Sequence, residues 1–228
     1  MIDLHTHFLP GIDDGAKNAD IAAKMLRDSY EQGVSHCVAT PHCTIHKNED
    51  IFEFLAGRDK SFSLLKGSGE LDAVPALHFG AELYLDNNVR AFKEIDKLCI
   101  SGTNYLLVEF ERTQIKADAA EWIYNLTMAG INPVLAHVER YDLERLKEIG
   151  IFELDIVFQI NSSNFLSIHG RRKVKKLLEF NKFFVVSSDM HNLDTRPCTM
   201  RKAYDIAKKK FSGKAEALFV KNAEKILF

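Results

Sequence analysis

Short apolar or alternating runs recur along the chain, separated by longer stretches with helical spacing of apolar positions. Seven runs read as strands, at 2–7, 37–41, 76–83, 105–110, 133–137, 156–161 and 183–188. The intervening and trailing patterns predict helices over 19–32, 50–66, 88–96, 117–128, 143–149, 170–180, 198–210 and 214–226. Asp142 stands where an N-cap belongs. Gly33, Gly130 and Gly150 each follow a helical pattern, at the position where a left-handed residue ends a helix. Strands that alternate with helices argue for parallel β/α units. The 228 residues match the length of one α/β barrel, which runs to roughly 200–250 residues. A single domain spanning 1–228, folded as a TIM-like β/α barrel or a distorted barrel, is therefore expected. The stretch 66–75 reads as a surface loop, and no linker, solenoid repeat or low-complexity tract interrupts the rhythm.

Composition narrows the function classes. Hydrophobic residues make up 46% of the chain, enough for a full core. With 30 basic and 32 acidic residues the net charge is −2, and no basic arm points to nucleic acid. Lys208, Lys209 and Lys210 read as a solvated helix face. The opening Met-Ile-Asp-Leu-His has neither a basic start nor an apolar run, so no signal peptide is expected. No window approaches the ~20 apolar residues of a membrane span. The expected compartment is the cytoplasm, without membrane insertion. Cys37, Cys43, Cys99 and Cys198 form no CxxC pair and are expected to be free thiols.

Chemistry concentrates where a barrel would use it. In β/α barrels the reactive groups sit at the C-terminal ends of the strands. The first predicted strand carries His5 and His7, two apart and so on one side. Asp13 and Asp14 follow in a glycine-containing loop. The second strand ends at His42, the third at Glu82, the fourth at Glu109 and the fifth at His137. The seventh ends in Asp189 and His191, again two apart. Six of the seven strand ends thus carry a metal-ligand side chain, and the sixth ends in "QINSSN". A charge such as Glu109 beside Leu106, Leu107 and Val108 is costly unless paired or metal-bound. Imidazole and carboxylate without thiolate suit Mn, Fe or Zn rather than a structural cysteine site. His36, His46, His78 and His169 fall outside the pattern.

The motifs "DLHTHFLPGIDDG", "ATPH", "GAE", "VEF", "AHVERY" and "SDMHN" resemble the PHP (polymerase and histidinol phosphatase) superfamily. More closely, they resemble the bacterial manganese-dependent protein-tyrosine phosphatases of capsular and exopolysaccharide synthesis. The resemblance implies a distorted TIM-like (β/α)7 barrel of the PHP type with a cluster of three divalent metal ions, manganese first, with Fe or Zn as alternatives. Its ligands carry over as His5, His7, Asp14, His42, Glu82, Glu109, His137, Asp189 and His191. It also implies phosphate-binding arginines at Arg140 and Arg196, although this chain reads Arg196-Pro197-Cys198 where the family commonly reads Arg-Pro-Pro. The implied substrate is a phosphotyrosine protein, the flexible tail of a bacterial tyrosine kinase, and oligomerisation is compatible with the family.

On that footing the expected reaction is attack of a metal-bound hydroxide on phosphorus, with ions and arginines taking up charge. The four carboxylates of the ligand set are neutralised by two divalent ions, whereas three leave a positive site better suited to a phosphate dianion. Arg140 is expected to clamp transition-state charge, since a guanidinium with a pKa above ~12 is a reluctant acid. Phe8, Tyr141 and Phe165 are candidates to stack on an aryl group, with core packing an equal alternative for each. Cysteine-dependent tyrosine phosphatases need an arginine six positions after the cysteine. Here those positions hold Cys43, Glu49, Tyr105 and Tyr204, so that chemistry is absent. The rivals are a small-molecule phosphatase of the same superfamily, acting on histidinol phosphate or a nucleotide, and a noncatalytic module.

Overall fold

The computed structural model describes residues 1–69, 71–86, 92–211 and 213–228. Every strand pairing among them is parallel. Strands β1 (Ile2–Thr6), β2 (His36–Ala39) and β4 (Ala76–Phe79) form one sheet. A second sheet runs β3 (His42–Cys43), β5 (Glu82–Tyr84), β6 (Tyr105–Glu109), β7 (Asn132–Leu135), β8 (Val157–Asn161) and β9 (Phe183–Ser187).

The two sheets are parts of one wall. The predicted second and third strands are each broken once, between β2 and β3 at Thr40–Pro41 and between β4 and β5 at Gly80–Ala81. Proline has no N–H to give a ladder, yet the bonding crosses both breaks. The Gly80 N–H donates to the Ala39 carbonyl at 2.8 Å, and the Glu82 N–H donates to the Pro41 carbonyl at 3.0 Å. At the other side β9 returns to β1. The Asp189 N–H donates to the His5 carbonyl at 2.9 Å and the His7 N–H to the Met190 carbonyl at 3.0 Å. Among the described residues the result is a distorted barrel of seven strands, one of the two forms that the alternation of strands and helices predicts.

The helices are α1 (Ala19–Glu31), α2 (Asn48–Gly67), α3 (Ala119–Met128), α4 (Leu143–Glu148), α5 (Ile168–Leu178), α6 (Met200–Lys210) and α7 (Asn222–Leu227). Asp142 caps α4 as expected, its carboxylate accepting from the N–H groups of Glu144 and Arg145. Gly33, Gly130 and Gly150 all have positive φ, as the helix-stop reading requires. The helix expected over 88–96 lies in part outside the described residues, and a 3₁₀ turn occupies Ile95–Leu98. Among the described residues no helix is long and apolar enough to cross a membrane. All four cysteines are buried free thiols.

Two apolar layers follow from strand alternation. Leu106 and Val108 face outward into the layer under the helices, while Leu107 faces the barrel interior with Leu4, Val38, Val134, Val157 and Val185. From α7, Ala223, Ile226 and Leu227 join that interior cluster. The interior positions further along the strands are polar and buried: Thr40, Gln159 and Asn161. The barrel is therefore apolar towards the N-terminal ends of its strands and polar at the other end.

Candidate metal centre

Strand alternation alone brings some of the polar residues inward. Glu109 shares the face of Leu107, and Gln159 and Asn161 share that of Val157. Others need a backbone irregularity. On β1 the register moves from Asp3↔Cys37 to Thr6↔Ala39, so one extra residue is accommodated. A bulge of this kind reverses which residues face inward. Before it Ile2 and Leu4 face the interior; after it His5 and His7 do. The Asp3 carboxylate accepts from the N–H groups of Ser188 at 2.9 Å and His5 at 3.4 Å, holding the bulge against the end of β9. His137 and Asp189 have φ of +33° and +55°. Non-glycine residues rarely adopt such values, and they concentrate at functional sites.

Nine side chains converge. Glu82 lies at the centre, wholly buried, with Oε2 at 3.0 Å from His42 Nδ1, 3.2 Å from His5 Nε2 and 3.3 Å from His7 Nε2. Its Oε1 lies 3.0 Å from His137 Nε2, which is 3.3 Å from Glu109 Oε2. Asp189 Oδ1 is 3.4 Å from His5 Nε2 and 3.6 Å from His7 Nε2. Asp14 Oδ1 sits 3.2 Å from His191 Nε2 and 3.3 Å from His42 Nε2. Every ligand expected from the motifs is thus present in one cluster. Asp14 is 64% exposed and His42 39%, so these two mark the mouth.

The spacing fits cation ligation. Donors about 2.1 Å from one ion lie roughly 3.0–3.4 Å apart at octahedral or tetrahedral angles. Glu82 Oε2 and His191 Nε2 are buried and near several nitrogen or oxygen atoms, yet neither makes a hydrogen bond. Lone pairs aimed at a shared point rather than at one another have this geometry. Three overlapping groups emerge: His7, Asp14, His42 and His191; His5, His7 and Asp189; His42, Glu82 and Glu109. In each, the donor atoms lie within 4.8 Å of one another.

Charge is balanced within the cluster. Burial disfavours the charged form of His5, but Glu82 and Asp189 outweigh it and hold its pKa up at about 9. Burial likewise opposes charge on His42, and the Glu109 and Glu82 carboxylates raise it to about 11. Burial opposes ionisation of Glu82 too, yet His5, His137 and His42 keep it well below the usual carboxylate range. His191 moves the other way, lowered to about 4 by burial and by His7 beside it.

A supporting layer was not legible as ligands. His7 Nδ1 meets Asp13 Oδ2 at 2.7 Å, which turns Nε2 into the cluster. Asp13 also accepts from the N–H groups of Gly15 and His42, at 2.9 and 3.2 Å. Gly15 packs so tightly that a Cβ would fall 2.0 Å from the His7 carbonyl oxygen. Gln159 Oε1 accepts from the His137 N–H at 2.7 Å and lies 3.0 Å from His5 Nδ1. Gln159 donates to Asn161, which donates to Asp189 Oδ2 at 2.7 Å. The sixth strand, lacking a ligand, supplies these orienting amides.

Arg140 and Arg196 stand at the rim, their side chains 26% and 33% exposed. Both donate to Asp189, Arg196 to each carboxylate oxygen at 2.9 Å. Phe8, Tyr141 and Phe165 do not face the mouth. Phe8 and Phe165 are fully buried, and the buried Tyr141 hydroxyl accepts from the Phe110 N–H at 2.9 Å. Of the two alternatives for these three rings, packing is the one the structure bears out, and aryl stacking is set aside. His36 and His78 pair with each other at 3.1 Å, apart from the cluster.

Comparison with known proteins agrees with this geometry. The family profile described as "Capsular polysaccharide synthesis, CpsB/CapC" matches residues 1–228. The chain belongs to the CpsB/CapC family. It is 34% identical to the tyrosine-protein phosphatase CpsB of Streptococcus agalactiae serotype V, covering 100% of this chain and 98% of that protein. To the CpsB of Streptococcus pneumoniae it is 33% identical, with the same coverage. Among solved structures it superposes with a TM-score of 0.80, at 27% identity, on a chain from the crystal structures of YwqE from Bacillus subtilis and CpsB from Streptococcus pneumoniae, described as unique metal-dependent tyrosine phosphatases. The match covers 100% of this chain and 94% of that one. The structural match agrees with the barrel fold that the motifs imply.

Proposed function

We propose that this CpsB/CapC chain is a metal-dependent protein-tyrosine phosphatase of capsular or exopolysaccharide synthesis. The observation that carries the reading is the convergence of His5, His7, Asp14, His42, Glu82, Glu109, His137, Asp189 and His191 beneath two arginines. These nine side chains hold divalent cations, three by the charge count above, and manganese is the expected metal. Bound divalent ions acidify water and polarise phosphoryl oxygens.

The chain's own residues do the rest. Asp13 and Gln159 fix the faces that His7 and His5 present, as partners of ligating histidines generally do. Arg140 and Arg196 place fixed positive charge at the rim, where it offsets charge on the phosphoryl oxygens in the transition state. No side-chain nucleophile is required. A tyrosine leaving group, with a pKa of roughly 10, needs only modest help to depart. The substrate is the phosphotyrosine-bearing tail of a tyrosine kinase in the cytoplasm.

The test is turnover on a phosphotyrosine peptide after chelation, with Mn, Fe, Zn and Mg each added back, beside histidinol phosphate. Metal-restored turnover of the peptide supports the proposal. Selective turnover of histidinol phosphate would replace it with the small-molecule reading, and full activity in demetallated protein would remove the metal from the chemistry.

A further inference from the structure

Alongside Lys208, Lys209 and Lys210, the chain carries a second basic triple, Arg171, Arg172 and Lys173. It lies on α5, which also carries Lys175 and Lys176 and has no acidic residue. One side of α5 faces α4 across a groove of about 640 Å³. The groove has an apolar floor of Leu143, Leu177 and Phe180 and a cationic wall of Arg172, Lys173 and Lys176. Spacings of one, three and four residues put these three on one helix face.

The neighbouring acids are largely engaged. Glu144 is paired with Lys147 at 3.1 Å, and Asp142 is committed to the α4 cap. Glu139 is buried and accepts from the Asn164 amide at 2.8 Å. Glu179 stands at the far end. The Lys173 ammonium donates to the Glu139 carbonyl at 3.3 Å, whereas the Arg172 and Lys176 side chains are exposed and make no ion pair or hydrogen bond among the described residues.

The groove adjoins the segment that carries Arg140. Glu139 and Tyr141 line it, and Arg140 between them reaches Asp189. α5 follows β8 after the turn Ser162–Phe165, so it starts on the side of the barrel where the strands end. Residues 172 to 176 span about 6 Å of helix axis, the reach of two residues of extended peptide.

We infer that the α4–α5 groove docks an acidic segment next to the phosphotyrosine of the substrate protein, with Arg172 and Lys176 meeting its Asp or Glu side chains. This rests on the phosphatase reading for its link to turnover but not for binding. The occupant is argued from charge complementarity and from the groove's place beside the segment that carries Arg140.

The experiment uses the full chain loaded with manganese, two phosphotyrosine peptides differing only in Glu or Gln flanks, and a small aryl phosphate. The Glu peptide should show a KM roughly 10-fold lower than the Gln peptide. Arg172→Glu with Lys176→Glu should erase that difference while leaving kcat and aryl phosphate turnover unchanged. The milder pair Arg172→Gln and Lys176→Gln should give an intermediate loss. Equal KM values in the parent protein, a preference that survives reversal, or a parallel loss on the aryl phosphate would each overturn the inference. So would charge-dependent capture by phosphatidylglycerol vesicles without an effect on peptide KM, which would make the groove a lipid-facing surface. Fluorescence anisotropy with unphosphorylated Glu and Gln peptides reads the groove without turnover. Absent phosphatase activity with retained Glu-selective binding would defeat the phosphatase reading and leave the groove standing.

Discussion

Glu82 Oε2 lies 3.0 Å from His42 Nδ1 without a hydrogen bond between them. A carboxylate oxygen and an imidazole nitrogen that approach this closely without a hydrogen bond are placed as joint ligands of a cation. Glu82→Gln keeps the shape and removes the charge. Bound metal, measured by elemental analysis, should fall, and phosphatase turnover should drop by at least ~100-fold. Unchanged metal content in a folded variant would contradict Glu82's central place.

Asp13 acts through His7, touching it at 2.7 Å. Asp13→Asn should raise the metal concentration for half-maximal turnover by about 10–100-fold. At saturating metal, kcat should largely return. A fixed loss of kcat at every metal concentration would instead place Asp13 in the reaction itself.

The imidazoles predict a pH signature for chelated protein. His5, at about 9 in the fold, lies above its unfolded value near 6.5. Its contribution to stability is fully present below ~6.5 and is lost as pH rises through about 9. His42, at about 11, extends the same trend. Calorimetry should show the chelated protein melting lower at pH 10 than at pH 7. Manganese should flatten the decline, because the cation then supplies the positive charge. A flat profile without metal would show that these rings are neutral in the fold.

Arg140→Lys keeps a positive charge and offers a more easily lost proton, but forfeits the planar fork. If Arg140 clamps charge, kcat on the phosphotyrosine peptide should fall roughly 10-fold or more with little change in metal content. A fully active lysine variant would mean that the fork is dispensable.

Burial pushes the thiols of Cys43, Cys99 and Cys198 up to about 12, and that of Cys37 well above its usual value. Thiolate is the reactive form. Iodoacetamide at pH 8 should leave the native protein unlabelled and active, while denaturant exposes all four cysteines. Inactivation that tracks labelling of the native protein would bring cysteine back into the chemistry.

Much of the site was legible because it obeys a local rule. Side chains at strand ends can be read wherever apolar alternation locates the strands, and this found eight members of the cluster, while Asp14, in a loop, was singled out only by the family resemblance. Glu109 is the clearest example, since its inward direction follows from Leu107 two positions earlier. The orienting groups escaped because Gln159 and Asn161 look like ordinary strand polars until His5, His137 and Asp189 are beside them. The choice between stacking and packing for Phe8, Tyr141 and Phe165 was not legible either. Their nearness in sequence to the site does not reveal which side of the wall they occupy.

The sequence by itself determined the parallel β/α alternation, the helix stops at Gly33, Gly130 and Gly150, and the kinds of donor at each strand end. Those depend on periodicity and on neighbours a few residues away. Tertiary structure alone decided the extra residue on β1 that turns His5 and His7 inward, the positive φ of His137 and Asp189, and the pairing of both arginines with Asp189. These depend on the stagger between strands and on contacts spanning up to 185 positions, as between Asp3 and Ser188. No local pattern encodes them, because the balance of burial and charge that selects them exists only once the wall has closed.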